Sequence, residues 1–243
     1  MLVCYNKYRD KRMLSLFLGG CKIFMSSVKE NLQKIQEKIA PYNVKIIAVT
    51  KYYNEEKLLE AYEAGIRDFG ENRVQDALDK LAKLPDEVKS NSFFHLIGHL
   101  QSNKVNKAVG NFDFIHSVDS LKLAEMINKR AEELGIIQKI FLQVNNANEA
   151  QKSGFEVEQL RKDFAKIIQM QHIKVEGLMN IAPFGLENEE LSHLFNGVKN
   201  LQLELKSEYD CEVGELSMGM SGDFEIALKA QATYIRLGRI LFN

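Results

Sequence analysis

In KIIAVTKYY (45–53) a lysine, Lys51, stands directly behind the apolar run Ile46, Ile47, Ala48 and Val49. A continuous apolar run this short reads as a strand buried on both faces, as in a parallel sheet. An ammonium is costly to take out of water, whereas a neutral amine is a nucleophile for carbonyl carbons. Two later stretches offer complementary chemistry. SMGMSGD (217–223) and RLGR (236–239) combine small, hydroxyl and cationic residues. Ser221 and Gly222 read as the start of a helix carrying Phe224, Ile226 and Ala227, whose free amides and dipole suit an anion. Gly219, Gly222 and Gly238 allow close backbone approach. Each part alone also fits an ordinary strand-end lysine that snorkels to solvent, or ordinary turn glycines. Together they point to a phosphorylated aldehyde held as a Schiff base. That chemistry needs the Lys51 pKa to fall from about 10.4, through desolvation and a neighbouring cation.

Bringing these groups together demands a repeating architecture. A first helix, near 27–40, is signalled by the capping pair Ser27 and Glu30, the stripe Val28, Leu32, Ile35 and Ile39, and Pro41 behind it. Eight short strand candidates follow: KIIAVT, IRDFG, FFHLIG, FDFIHS, KIFLQV, KVEGLM, ELSM and TYIRLG. Helical stripes separate most of them. Asn54 can cap a helix with Leu58, Leu59 and Tyr62, closed by Gly65; Val74, Leu78 and Leu81 precede Pro85. Asp119 can cap one with Leu123, Ile127 and Leu134, closed by Gly135. Leu160, Phe164 and Ile167 form the next, and Leu191, Leu194, Val198, Leu201 and Leu205 a longer one. The link at 101–110 has the weakest pattern. Eight strands alternating with helices imply a closed parallel (β/α)8 barrel of the TIM type. The chain stops just after the last strand, so the first helix is expected to fill the gap in the outer ring. An open doubly wound sheet is the alternative. In a barrel the chemistry collects at the carboxyl ends of the strands, and the last two loops frequently bind phosphate.

The 243 residues include 32 basic and 33 acidic side chains, for a formal net charge of −1. That length suits one large barrel, and no linker or repeat divides it. Near-neutral charge leaves no footprint for nucleic acid, and no window reaches membrane-spanning length. Cys4, Cys21 and Cys211 show no metal-ligand spacing and fit a reduced, cytoplasmic compartment. His95 and His99 in HLIGH lie in an expected strand without the glutamate of a zinc helix, so no metal is expected. Residues 1–24 place a basic stretch before a short apolar run and LGGC. The run falls short of the roughly 7–15 residues of a secretory signal. They are read as a non-essential extension ahead of a domain spanning 25–243.

AVTK with Lys51, FGEN, FHLIGHLQSNK, HSVDS, the KSG at 152–154, GLM, LSMGMSGD and RLG occur in order over residues 27–242. In these motifs the chain closely resembles the pyridoxal phosphate homeostasis proteins. The resemblance implies a single barrel related to the barrel domain of alanine racemase, with pyridoxal 5′-phosphate (PLP) held on the lysine after the first strand. It implies Lys51 as the aldimine lysine, and Ser217, Ser221 and the backbone around Gly238 as phosphate ligands. Asn72 would lie beside the ring, and Arg236 would face the pyridine nitrogen. Many relatives carry Thr or Ser where this chain has Arg239, whose amide or guanidinium would serve instead. Asp223 would repel the phosphate unless its carboxylate turns toward the helix amides. His95, Lys152 and Met179 also match family motifs, and packing or solvation explains each equally well.

Two functions from different classes follow from the resemblance. One is a non-catalytic PLP carrier, expected to be a monomer, that stores, buffers or delivers the cofactor to PLP-dependent apo-enzymes. The alternative is a PLP-dependent amino-acid racemase. Racemisation needs acid–base groups on both faces of the α-carbon, and alanine racemase draws one from a second domain for which this chain is expected to have no counterpart. An arginine facing the pyridine nitrogen also disfavours its protonation. Both arguments favour the carrier. A third reading, independent of the resemblance, is a phosphosugar enzyme using Lys51 without a cofactor.

Overall fold

The computed structural model describes residues 27–147 and 153–243. Eight strands pair in parallel in chain order: β1 (Lys45–Val49), β2 (Asp68–Glu71), β3 (Phe93–Leu96), β4 (Phe114–Val118), β5 (Gln138–Val144), β6 (Ile173–Asn180), β7 (Glu215–Met220) and β8 (Tyr234–Leu237). β1 also pairs with β8, Ile47 beside Arg236 and Ala48 beside Leu237, so the sheet closes on itself. That pairing excludes the open sheet.

The helix stripes fall largely where their apolar spacing put them, although Leu134, expected beside Leu123 and Ile127, lies at the helix end and is exposed. α1 (Ser27–Ile39) buries Val28, Leu32, Ile35 and Ile39. It packs between α2 (Glu55–Glu63) and α10 (Arg239–Phe242), with Asn31 Nδ2 donating to the Leu241 and Asn243 carbonyls at 3.1 and 2.9 Å. The last strand is therefore followed by a helical turn of its own, and α1 completes the ring beside it. Ser27 is already helical at the border of the described residues, and the extension, Cys4, Cys21 and Lys152 lie outside them.

Asn54 caps α2 by accepting from the Lys57 amide. α3 (Val74–Leu81) and α4 (Asp86–Ser90) precede β3, and the weak link after it holds a 3-10 turn at Ser102–Lys104 and α5 (Val105–Ala108). α6 (Leu121–Leu134) ends on Gly135 at φ +66°, as expected, but its cap is Ser120, not Asp119. Ser120 Oγ accepts from the Leu123 amide, placing the cap one residue later. α7 (Val157–Ile168) and the 22-residue α8 (Asn188–Tyr209) bury their expected stripes, α8 behind a Glu187–Glu190 capping box. The helix after β7 differs from expectation. α9 (Phe224–Lys229) starts behind Asp223, and Ser221 and Gly222 form a turn before it.

Side chains along each strand alternate between the lumen and the helix layer. On β1, Ile47 joins Phe114, Phe141, Met179 and Tyr234 inside the barrel, while Ala48 packs outward under the helices. The same alternation decides which residues reach the mouth.

Candidate functional site

Counting on from Ile47, alternation points Val49 and then Lys51 toward the barrel axis, with Lys51 just past the last strand residue. Thr50, between them, points outward. Its Oγ1 donates to Glu71 Oε1 at 2.6 Å, and Lys80 Nζ reaches the same oxygen at 2.6 Å and the Thr50 carbonyl at 2.7 Å. This buried clamp ties the end of β1 to the end of β2 and to α3. It fixes the backbone on both sides of the mouth where Lys51 and Asn72 emerge. Lys51 itself is exposed, with Nζ 4.8 Å from the centre of the Tyr52 ring, rather than desolvated as expected.

A cavity of about 450 Å³ opens at these strand ends. It is lined by Lys51, Asn72, Ser221, Arg236, Gly238 and Arg239 together with Val49, Tyr52, Tyr53, Ile97, Ile181 and Met220. Every proposed site residue except Ser217 is among them. Asn72 presents a buried Oδ1 without a hydrogen-bond partner. Its backbone is held by Gly98, where a Cβ would stand 2.2 Å from the Asn72 carbonyl oxygen.

Arg236 is almost fully buried at the floor. Nη1 donates to the Ser217 carbonyl and hydroxyl at 2.6 and 2.8 Å, and Nη2 to the Asn180 carbonyl at 2.7 Å. Those three bonds leave donors of the five-N–H fork for the cavity. Burial lowers its pKa to about 10, opposed by the Asp223 carboxylate. Ser217 sits beneath Arg236, its Oγ 3.0 Å from His116 Nδ1, so it does not face the cavity.

In the seventh loop the Gly219 backbone takes φ +88°, a left-handed turn that brings Ser221 across to β8. The Ser221 hydroxyl then accepts from the Gly238 amide at 3.4 Å. Asp223 turns to the Met220 amide, at 2.5 Å, rather than to the amides of α9. Burial raises its pKa, opposed by that N–H and by Arg236. Lys51, Arg236 and Arg239 leave the mouth cationic.

A family model described as the alanine racemase N-terminal domain matches residues 23–243. A pyridoxal phosphate homeostasis protein from Synechocystis is 42% identical over 203 residues, covering 84% of this chain and 92% of the relative. This chain belongs to that family. A second member, from Aquifex aeolicus, is 38% identical over 222 residues, 90% of this chain and 96% of its own. Among solved structures, PipY of Synechococcus elongatus with PLP bound superposes with a TM-score of 0.82 at 41% identity, covering 89% of this chain and all of PipY.

Within this family member, sequence reasoning missed the clamp of Thr50, Glu71 and Lys80, and the lining by Tyr52, Tyr53, Ile97, Ile181 and Met220. Ile97 and Ile181 each follow directly on a strand end, so that position was legible. The clamp depends on barrel register and was not.

Proposed function

We propose that this protein holds pyridoxal 5′-phosphate in the cavity at the strand ends and serves its storage, buffering or delivery without catalysis. The observation that carries this reading is the meeting of the Lys51 amine, the buried Arg236 cation and the Ser221–Gly238 junction in one 450 Å³ space. That volume lies within the roughly 300–1,000 Å³ of small-molecule sites. The unpartnered Oδ1 of Asn72 supplies an acceptor for a ligand hydroxyl or protonated nitrogen.

Bound there, the cofactor supplies an aldehyde carbon for condensation with a neutral amine, with loss of water. Lys51 Nζ is the amine in this reading, as a Schiff base. Ser221, the Gly238 backbone and Arg239 hold the phosphate, Asn72 flanks the ring, and Arg236 directs an N–H at the pyridine nitrogen. A guanidinium is a donor only, so the ring nitrogen facing it stays unprotonated. That weakens the electron sink which amino-acid chemistry needs. The other ionisable groups lining the cavity are Tyr52, Tyr53 and Arg239, and the Tyr53 hydroxyl is 3.0 Å from Asn243 Oδ1. The reading extends to a cytoplasmic monomer that passes the cofactor to apo-enzymes. Among the described residues Cys211 is in no disulfide, and no helix is long and apolar enough to cross a membrane.

The test follows protein purified without added cofactor. Its visible spectrum should show an internal Schiff-base band, borohydride should fix the adduct on Lys51, and Lys51→Ala should fold without either. An adduct on Lys104 or Lys152 would reassign the site. Incubation with L- and D-amino acids should give no sustained change of chirality and no release of keto acid or amine. Multiple turnovers that vanish in Lys51→Ala would establish an enzyme instead.

A further inference from the structure

Beneath the cavity, five side chains form one unbroken chain of hydrogen bonds through the barrel lumen. Arg236 Nη1 donates to Ser217 Oγ at 2.8 Å, and Ser217 Oγ lies 3.0 Å from His116 Nδ1. His116 Nε2 lies 2.9 Å from His95 Nδ1, and His95 Nε2 lies 3.0 Å from Asp68 Oδ1. All but Asp68 are buried. The imidazoles sit in an aromatic cage, His95 stacked on Phe114 at 4.7 Å and His116 on Phe141 at 4.1 Å between ring centres.

The two ends of this chain set its direction. A guanidinium only donates and a carboxylate only accepts. Asp68 can only accept, so the order is counted from its end, and Ser217 Oγ, which accepts from Arg236, has a proton free for His116 Nδ1. A neutral imidazole has one donor and one acceptor, so His116 Nε2 donates to His95 Nδ1, and His95 Nε2 donates to Asp68. With both rings neutral, every donor in the chain meets an acceptor. Charge on either ring would set donor against donor or turn His116 Nδ1 into a donor, leaving the Ser217 proton without its acceptor in the chain. Burial acts in the same direction, holding His116 well below the usual histidine range and lowering His95 against the pull of Asp68. The charged groups acting on the pair are Asp68 and Asp113 beside His95, Lys45 below it, and Arg236 beside His116.

We infer that Ser217, His116, His95 and Asp68 are positioning residues, a one-way relay that aims the Arg236 guanidinium at the cavity and anchors it to a carboxylate across the lumen. Ser217 thereby serves the ring end of the ligand, not its phosphate. The relay rests on the PLP reading only for the identity of what Arg236 meets. Packing alone would not select it, because polar side chains in an aromatic cage are costly unless every partner is matched.

Nitrogen NMR of histidine-labelled, ligand-free protein tests the relay without any variant. Both rings should be neutral Nε2–H tautomers at pH 7, with a scalar coupling across the His116–His95 N–H···N bond. An Nδ1–H tautomer or an imidazolium at either ring overturns the proposal. His116→Phe keeps the stack on Phe141 and cuts the chain. It should weaken PLP and unphosphorylated pyridoxal alike, by about tenfold, the usual cost of losing a hydrogen bond that orients a charged group. His116→Gln, which can both accept and donate, should recover part of that loss. Undiminished affinity for both ligands in folded His116→Phe overturns the positioning role. If the parent protein binds no PLP, the cofactor reading fails while the tautomers still decide the relay.

Discussion

Replacing Lys80 by methionine removes the cation from the clamp under Lys51 while keeping a side chain of similar length. Lys80 and Glu71 are only 11% and 4% exposed, with Nζ 2.6 Å from the carboxylate, so solvent screens the pair little. Glu71 would keep the Thr50 hydroxyl at 2.6 Å but lose its counter-charge. Leaving one partner of a buried pair costs roughly 3–5 kcal/mol. At about 2–4 °C per kcal/mol for a chain of this size, the melting midpoint should fall by roughly 6–20 °C. The Thr50 carbonyl also loses the Lys80 donor and keeps only the Tyr53 amide at 2.9 Å, so the backbone leading to Lys51 loosens and capture of an aldehyde by Lys51 should slow. Adding Glu71→Gln to the same chain removes the stranded charge and should return much of the lost stability. Thermal and urea unfolding of both single variants and the double variant give the coupling directly. A Lys80→Met midpoint within about 2 °C of the parent, or a cycle without coupling, would refute the clamp.

Four further outcomes are expected. Ser221→Ala should weaken PLP about tenfold or more but leave pyridoxal almost unchanged, as titration of both ligands will show; equal weakening would mean a folding defect. Gly98→Ala drives a Cβ to 2.2 Å from the Asn72 carbonyl, a backbone clash that should lower the unfolding midpoint and displace Asn72, read as lost PLP affinity in whatever folds. His95 and His116 have lowered folded pKa values, so the unfolded chain takes up more protons below about pH 6.5. Stability should hold above that pH and decline below it, by up to about 2.7 kcal/mol per pH unit for two rings, and urea unfolding of His116→Phe should show a shallower decline. A chain starting at Met25 should match the full chain in melting midpoint and PLP uptake, as proposed for a barrel complete without residues 1–24.

Much of the fold was legible because its signals are periodic. The stripe of α1 and the long stripe of α8 both bury as spaced, and eight alternations leave few architectures besides a barrel. What periodicity does not decide are choices between nearby residues of like chemistry. Asp119 and Ser120 both suit an N-cap, and only the backbone path gives the Leu123 amide to Ser120. Ser217 and Ser221 both suit a phosphate, four residues apart in one loop motif. Alternation along β7 turns Ser217 into the lumen, and the left-handed turn at Gly219 delivers Ser221 to the mouth.

The relay had a readable trace as well. A strand buried on both faces has no solvent side, so each polar residue within it needs a partner inside the protein. Asp68, His95, His116, Ser217 and Arg236 are such residues, drawn from β2, β3, β4, β7 and β8. His95 alone is explained equally well by packing. The set is different: one carboxylate, one guanidinium, one hydroxyl and two imidazoles make a self-consistent donor–acceptor series with both rings neutral. Sequence supplies the members of that series, but not which strands stand beside one another or at what height. Barrel closure does so, placing Ile47 beside Arg236 and Gly70 beside His95. Once the register is known, the same alternation that carries Lys51 to the mouth carries these five side chains into the lumen. The position of the lysine and the support of the arginine are thus two consequences of one strand geometry.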